Sequence, residues 1–529
     1  MPESLETFPI EFKGGLLTNL SPLQQGINAP GSARQLRNFE PSIEGGYKRV
    51  LGFDKYDSTE IPNTAGLVRG LFYYGGKVLA VRNNTVGGEG ELYESSGTGA
   101  WTRKSTNSIR FASGTGKVRF AKFNFDGTER VVIVDGLNTP FFYDGTSLTK
   151  PTLTDAQEGA NFVTIFKNHI FLAKDTSIIT SAPLLYADAN GWSPANNAQE
   201  QQYNDEITGM IAFRDQLYIF SKTAINKLSG STWSDFTRVP VSEDMGCTHP
   251  DTIQEIAGDV AFMAPDGIRM LSGTSRIGDV GLATVTKNIQ GEISNFQNRH
   301  GVFCSVLVRG KSQYRVFGYR SGDSSANARG LLGTHFAAEG AGDIAWAETR
   351  GIQAYTAYGE YNANEEQLFF ANADGFVYQL ERGNSFNGVA IEASYFTPFL
   401  PINDPALRKT MYVLHSYVDP EGSLRATARM NYDFGDSSVI QPDPIDLTNI
   451  LTSDSDDFDM GIYGTATYAT YSGATVLTGF LYGDAVRLTL RKQVTGSGFV
   501  VSVEYTSSGS TQPFSLDAMA LEYATASRR

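Results

Sequence analysis

The chain has 529 residues and a formal net charge of −14, from 43 basic and 57 acidic side chains. With 41% hydrophobic and 19% charged residues, the composition is that of a globular protein with several domains and excludes a disordered chain. The acidity leaves no general basic surface for a sequence-independent grip on nucleic acid.

Glycine and aromatic residues set the expected fold class. There are 55 glycines, 25 tyrosines and 33 phenylalanines, which indicates many short strands joined by tight turns and therefore an all-β protein. Residues 1–6 lack the basic and apolar regions of a secretory signal, and no apolar run approaches the roughly 18 residues that span a bilayer. We expect synthesis in a cytoplasm and no membrane span.

Residues 1–65 contain many turn formers, such as Gly14-Gly15 and Gly45-Gly46, and few strand patterns. This composition predicts an extended N-terminal arm, which we expect to become ordered on contact with another protein.

Residues 66–385 repeat one unit, in which an apolar strand, a turn, a second apolar strand and a polar loop follow each other. The second strands are expected at residues 78–81, 131–134, 170–173, 217–220, 260–263, 314–317 and 368–370. Their starts lie about 39 to 54 residues apart, which brackets the length of a four-stranded propeller blade. The pattern predicts a β-propeller of six or seven blades; a tandem of unrepeated β-sandwiches is the alternative.

Small-residue loops precede Trp101, Trp192 and Trp233. In a propeller these loops would lie at corresponding blade edges, where the indole rings would close the interface between two blades. Stacking of the same rings on sugars is the functional alternative.

Residues 386–529 change to longer alternating strands, for example at 409–415, 424–430 and 518–523. Alternation indicates one buried face, so these residues predict a C-terminal β-sandwich-like domain. A polar, Asp-rich insert lies at about 436–460.

Candidate catalytic and metal-binding groups are scattered. The best zinc candidate combines Cys247 and His249 with His300 and Cys304, but buried cysteines are more often small hydrophobic residues. The acidic run at 454–459 lacks the ligand spacing of a calcium loop. We therefore predict no catalytic residues, no metal and no cofactor. Two cysteines cannot form a disulfide framework in a chain of this length.

Three motifs stand out near the N-terminus: a Lys-Gly-Gly start, a stretch with Arg and Asn, and a Lys-Arg pair after Glu-Gly. In this order they resemble the opening of the nozzle proteins, also called tail tubular or tail hub proteins, of short-tailed bacteriophages. Segments 241–271 and 395–434 continue the similarity. The motif residues are Phe12, Lys13, Gly14, Gly15, Arg34, Arg37, Asn38, Lys48 and Arg49.

The resemblance implies a structural, non-enzymatic virion protein. Six copies would form the distal ring of a short tail, beneath adaptor ring proteins and beside tail fibres or spikes. Genomic DNA would be retained and then ejected through the ring without sequence-specific binding, and an acidic wall would repel it. The nine motif residues are the expected contacts with a neighbouring subunit or the adaptor.

Two other functions remain open at this point. The first is a host-surface adhesin, in which exposed aromatic loops bind sugars. The second is a glycan depolymerase, which would need a pair of carboxylates across a cleft.

Overall fold

The N-terminal residues supply strands to sheets that are built by the rest of the chain. They contain β1 (Glu6–Glu11), helix α1 (Pro22–Asn28), β2 (Gln35–Arg37), β3 (Phe39–Pro41), β4 (Tyr47–Arg49) and β5 (Phe53–Lys55). Helix α1 begins at a capping box formed by Ser21 and Gln24. The computed structural model describes residues 5–525 except 63, 86, 154–156, 187–188, 197, 233, 273–283, 337–343, 363–364 and 450–487.

Four antiparallel blades follow β5. Blade 1 contains β6 (Thr64–Tyr74), β7 (Lys77–Asn84), β8 (Glu89–Ser95), β9 (Thr102–Arg103) and β10 (Phe111–Ser113). Blade 2 contains β11 (Arg119–Asn124), β12 (Glu129–Val134), β13 (Phe141–Tyr143) and β14 (Leu148–Thr149). Blade 3 contains β15 (Phe162–Phe166), β16 (His169–Lys174), β17 (Ser177–Thr180) and β18 (Gln199–Gln202). Blade 4 contains β19 (Ile207–Phe213), β20 (Gln216–Ser221), β21 (Ile225–Ser229) and β22 (Thr237–Ser242).

The ring continues with a smaller sheet and two further blades. The three-stranded sheet contains β23 (Gln254–Ile256), β24 (Asp259–Ala264) and β25 (Gly267–Met270), and helix α2 (Gln290–Arg299) follows it. Blade 5 contains β26 (Val302–Val308), β27 (Gln313–Tyr319), β28 (Arg329–His335) and β29 (Ile344–Arg350). Blade 6 contains β30 (Thr356–Asn362), β31 (Glu365–Ala371) and β32 (Val377–Leu380), with β5 as its outer strand.

The predicted propeller is confirmed. All seven expected second strands are present, in β7, β12, β16, β20, β24, β27 and β31. Four of their hairpins use two-residue turns with positive φ, as at Lys167-Asn168 and Arg214-Asp215, because such turns match the twist of paired strands. Strand β30 packs beside β6, which closes the ring. Six blades have four or more strands, and the three-stranded sheet lies between two of them, which agrees with the predicted six or seven blades.

The C-terminal domain contains β33 (Ile391–Phe396), β34 (Lys409–Pro420), β35 (Thr427–Tyr432), β36 (Ile445–Asp446), β37 (Leu488–Gln493), β38 (Ser497–Gly498), β39 (Val501–Gly509) and β40 (Phe514–Thr525). One of its sheets has the order β3-β4-β40-β34-β37, with β1 paired to β40 and β38 paired to β34. The predicted C-terminal β domain is thereby confirmed. No helix in the described part of the chain combines the length and the apolar character needed to cross a membrane.

The second C-terminal sheet is continuous with blade 5. Its nine strands have the order β26-β27-β28-β29-β2-β33-β39-β35-β36. Strand β2 joins the two parts, because Arg37 pairs in parallel with Glu348 of β29 and Leu36 pairs in antiparallel with Tyr395 of β33. The N-terminal residues, for which an extended arm was expected, contain a helix and five strands and are an internal part of both the propeller and the C-terminal sheets. The expectation that they need another protein to become ordered is therefore corrected.

A buried ion network fixes the N-terminal segment to blades 5 and 6. Arg315 on β27 lies 3.0 Å from a carboxylate oxygen of Glu40 on β3 and 2.6 Å from one of Glu381, which follows β32. Lys311 contacts the same two carboxylates at 2.6 and 2.5 Å. Burial alone would raise the pKa of Glu381, but Arg315 and Lys311 outweigh it and lower the pKa to about 2.

Candidate functional site

Residues around the axis of the propeller line an open cavity of about 220 Å³. Its wall comes from β6, β11, β15, β19, β26 and β30, together with residues 250–254 beside the three-stranded sheet. Aromatic rings fill one part of the cavity. Phe72 stacks on Phe120 with the ring centres 5.4 Å apart and contacts Tyr358 at 4.8 Å. At about 30 Å³ per water, the cavity has room for roughly seven waters.

An ionic group crosses this cavity. Arg119 at the start of β11 makes two bonds to Asp251, with Nε–Oδ1 at 2.9 Å and Nη2–Oδ2 at 3.0 Å. Lys117 contacts the same carboxylate at 3.0 Å and donates to the backbone carbonyl of Phe303 at 2.6 Å. The guanidinium of Arg119 also lies 4.4 Å from the ring centre of Phe162. These contacts link blade 2 to the opposite side of the ring.

Asp251 is held in its ionised form. Burial would raise its pKa, but the charges and hydrogen bonds of Arg119 and Lys117 outweigh burial and hold the pKa well below its usual range. Asp251 is also the sole carboxylate among the described residues that line the cavity. A general acid needs a raised pKa, and glycoside hydrolysis needs two carboxylates. The described residues of the cavity therefore form ion pairs that link two sides of the ring, and they do not form a general acid–base pair.

The zinc candidates do not meet. Cys247 lies in the buried cluster between blade 4 and the three-stranded sheet, whereas Cys304 lies in the cluster between blades 5 and 6. Burial raises the pKa of both thiols to about 12, which disfavours the thiolate that zinc requires. Nδ1 of His300 bonds to the carbonyl of Phe296 at 2.9 Å, and the ring of His249 packs on Phe303 at 4.4 Å. The acidic run 454–459 lies outside the described residues.

Of the three tryptophans that follow small-residue loops, two pack between blades as predicted. Trp101 is 8% exposed, lies between blades 1 and 6, and donates from Nε1 to the carbonyl of Thr59. Trp192 is 6% exposed, lies between blades 2 and 3, and donates to the carbonyl of Tyr186. Neither ring is free to stack on a sugar. Trp233 lies outside the described residues.

The Lys-Gly-Gly motif lies against the core of the C-terminal domain. Phe12 is fully buried and packs edge-on against Tyr395 at 4.8 Å. The amide of Gly15 donates to the hydroxyl of Tyr47 at 3.0 Å. A Cβ on Gly15 would lie 2.8 Å from the backbone of Trp346, so this close approach requires glycine. Lys13 and Gly14 are exposed.

The remaining motif residues also bind within their own chain. Arg34 pairs with Glu504 at 2.5 Å, Arg37 pairs with Glu348 at 3.3 Å, and Lys48 pairs with Glu421. The amide of Asn38 donates to the carbonyl of Glu392, and Arg49 donates to the carbonyls of Gly509 and Thr511.

Burial limits what the motif residues can offer another molecule. Asn38 and Arg49 are 2% and 0% exposed, so like the buried Phe12 and Gly15 they stabilise the chain itself, which corrects their expected role as contacts between subunits. For the exposed Lys13 and Gly14, and for the partly exposed Arg34, Arg37 and Lys48, a contact with another subunit or the adaptor stays a prediction.

The sequence patterns do not indicate the ionic groups at Asp251 and Glu348. Arg119 and Asp251 are 132 residues apart in sequence, and each lies in an unremarkable loop or strand end. A second group, in which Glu348 is bonded by three arginines, joins β2, β28 and β29. The one signal that could have located this second group is the pairing register of β28 and β29, in which Arg329 and Arg350 lie directly opposite each other.

Comparisons with known proteins give distant likenesses only. No family model and no curated protein matches the sequence. The extracellular domain of the one-component system BT4673 from B. thetaiotaomicron is 10% identical with a TM-score of 0.38, over 77% of this chain and 48% of that one. The chain thus spans about half the length of that protein.

Two other solved structures have similar statistics. The exo-β-1,3-galactanase of Phanerochaete chrysosporium is 9% identical with a TM-score of 0.26, over 90% of this chain and 100% of that one. BBS1N, solved in complex with ARL6DN, is 9% identical with a TM-score of 0.39, and the match covers 65% of this chain and 98% of that one. With TM-scores below 0.5, these likenesses carry no statement about the function of this chain.

Proposed function

We propose that this chain is a structural virion protein that forms the distal nozzle ring of a short phage tail. Six copies would surround a central passage, with adaptor ring proteins above them and fibres or spikes beside them. Genomic DNA would be held and then released through that passage. The chain itself would carry no enzymatic activity.

The N-terminal segment is the observation that carries the proposal. The residues that resemble nozzle proteins are the ones that join the propeller to the C-terminal domain, through β2, β3 and β4. A resemblance in exposed loops would say little about architecture, whereas these residues determine how two domains are held together. Phe12, Gly15, Asn38 and Arg49 each have a specific contact that depends on their identity.

The axial cavity supports a non-catalytic role and limits where DNA would pass. Its one carboxylate among the described lining residues is neutralised by Arg119 and Lys117, and these ion pairs cross the axis of the propeller. In the proposed ring, DNA would therefore pass between the subunits and not through a propeller. The net charge of −14 suits such a passage, since like-charge repulsion lets DNA move without adhering.

Immunogold electron microscopy of purified particles tests the proposal directly. Antibody against the purified chain should label the tail tip, and quantitative mass spectrometry of the same particles should find a small fixed multiple of six copies. Particles without label and without the chain would overturn the proposal.

Two further assays separate the alternatives. An adhesin would bind specific sugars on a glycan array, and a depolymerase would release reducing ends from host surface polysaccharide. The nozzle proposal expects neither signal from the purified full chain. Reducing-end release that persists in Asp251→Asn would place catalysis outside the axial cavity, and release that is lost in this variant would place it there.

A further inference from the structure

Three arginines surround one glutamate where the N-terminal segment meets blade 5. Arg329 and Arg350 donate from Nε to the same oxygen of Glu348, at 2.6 and 2.9 Å. Arg37 donates to the second oxygen at 3.3 Å. Arg329 also bonds to Glu292 of helix α2 at 2.8 Å. Among the described residues, three guanidinium groups are therefore matched by two carboxylates, which leaves one positive charge without an ion-pair partner.

The strand register places two of these positive charges directly opposite each other, which is unfavourable unless a further anion binds beside them. Arg329 and Arg350 are direct partners in the antiparallel β28–β29 pair, and like charges in that position repel each other. Arg37 is brought to the same place by its parallel pairing with Glu348. Burial lowers the pKa of Arg350, and the nearby charges of Arg329 and Arg37 lower it further, against the effect of Glu348.

Donors remain free at this cluster. Arg37 and Arg350 each bond to Glu348 through Nε, and their Nη1 and Nη2 groups have no partner among the described residues. The side chains of Arg37 and Arg350 are 35% and 27% exposed, so a solute can reach them. By contrast, Arg329 uses both Nε and Nη2 and is 13% exposed.

We propose that Arg37 and Arg350 bind an oxyanion of phosphate size at this junction. A guanidinium fork offers two parallel N–H donors that match a phosphate, and charge-assisted bonds of this kind are the strong ones. A bound phosphate would neutralise the excess charge and would hold β2 against β29. Because the site is built from groups on one chain, it does not depend on the proposed nozzle role.

Thermal unfolding of the full chain tests the site. We compare sodium phosphate with sodium chloride at equal ionic strength and pH, and add sodium acetate as a carboxylate probe. The wild-type midpoint should rise with the logarithm of phosphate concentration and should stay level in chloride, because a ligand that binds only the folded state stabilises it. An equal rise in acetate would overturn the assignment to phosphate, and no rise in phosphate beyond chloride would overturn the site.

Variants locate the effect. Arg37→Lys and Arg350→Lys keep the charge but lose the fork, so each should raise the apparent phosphate dissociation constant at least about tenfold, measured against the same variant's midpoint in chloride. Arg34→Lys is the matched control, since Arg34 lies beside the same strand and its ion pair is with Glu504. An equal loss in Arg34→Lys would overturn the assignment to Arg37 and Arg350. Phosphorus NMR titration measures the dissociation constants independently of folding.

Discussion

Replacing Arg315 by methionine should leave two carboxylates buried with one cation between them. Arg315 and Glu40 each expose 2% of their side chains, and Arg315 also binds Glu381. Removing one partner from a buried ion pair costs about 3–5 kcal/mol, whereas an exposed pair is worth about 0–1 kcal/mol. Lys222→Met is the matched control, because Lys222 and its partner Glu206 are both 56% exposed.

Hydrogen exchange gives the free energy of opening for β3 and β27 separately, which suits a chain of this size because it seldom unfolds in one step. We expect Arg315→Met to lower the opening free energy of both strands by about 3–5 kcal/mol, and Lys222→Met to leave it unchanged. A loss below about 1 kcal/mol in Arg315→Met would refute the reasoning, since the network would then behave like an exposed pair.

The same variant should weaken a pH dependence. In the wild type, the pKa of Glu381 lies at about 2 in the fold, against 4.5 for a free glutamate. Its contribution to stability is therefore complete above pH 4.5 and is lost as the pH falls towards 2. Without Arg315, Lys311 alone offsets burial, so the pKa of Glu381 should lie higher in the variant and acidification should cost it less stability. Urea midpoints from about pH 5 to about pH 2 measure this difference, and an equal fall in both proteins would contradict it.

Three further changes probe other parts of the fold. Gly15→Ala places a Cβ 2.8 Å from the backbone of Trp346 at a φ of +67°, so thermal unfolding should show a loss of about 1–3 kcal/mol. Trp101→Ala empties a buried interface between blades and should cost about 3–5 kcal/mol without changing a glycan-array profile. Cys247 and Cys304 should resist iodoacetamide at about pH 8 until urea unfolds the chain, because burial raises the pKa of both thiols to about 12.

Each of these changes has a control or a contrary outcome. Gly45 has a φ of +102°, but no atom lies within 4 Å of the position that a Cβ would take there, so Gly45→Ala should cost only about 1 kcal/mol. Equal losses at Gly15 and Gly45 would show that the close approach to Trp346 is unimportant. If Trp101→Ala keeps the wild-type stability, the burial of Trp101 is contradicted. If mass spectrometry shows rapid labelling of either thiol in the folded chain, the burial of the cysteines is contradicted.

The propeller could be predicted because each blade carries its own local signal. Apolar runs such as residues 131–134 alternate with turn residues that tolerate positive φ, and this pattern recurs at a nearly constant spacing. The three-stranded sheet keeps the same hairpin, so the sequence did not distinguish it from a full blade. Beyond β25, its outer edge makes one isolated bridge in the described residues, between Arg269 and Thr284, before the chain continues into helix α2.

The N-terminal pairings could not be predicted in the same way. Strands β2, β3, β4 and β5 have three residues each, which is too short for a periodic pattern. Apart from the β3–β4 pair, their partners lie hundreds of residues away, and the side-chain pair of Arg34 and Glu504 likewise joins residues 470 positions apart. The ionic group at Glu348 depends on the same distant pairings through β2, whereas the group at Asp251 depends on closure of the propeller, which brings Arg119 to a residue 132 positions away.

The joining of both chain ends has a consequence for how the protein is made. Glu6 accepts a hydrogen bond from Tyr523, 517 residues later, and β5 completes a blade whose other strands are translated long after it. Ribosomes add about 5–20 residues per second, so the N-terminal strands wait for tens of seconds without their partners. During that time their unpaired edges are open to aggregation. We expect newly made chains to depend on chaperones, and truncation at either end to leave the whole protein insoluble.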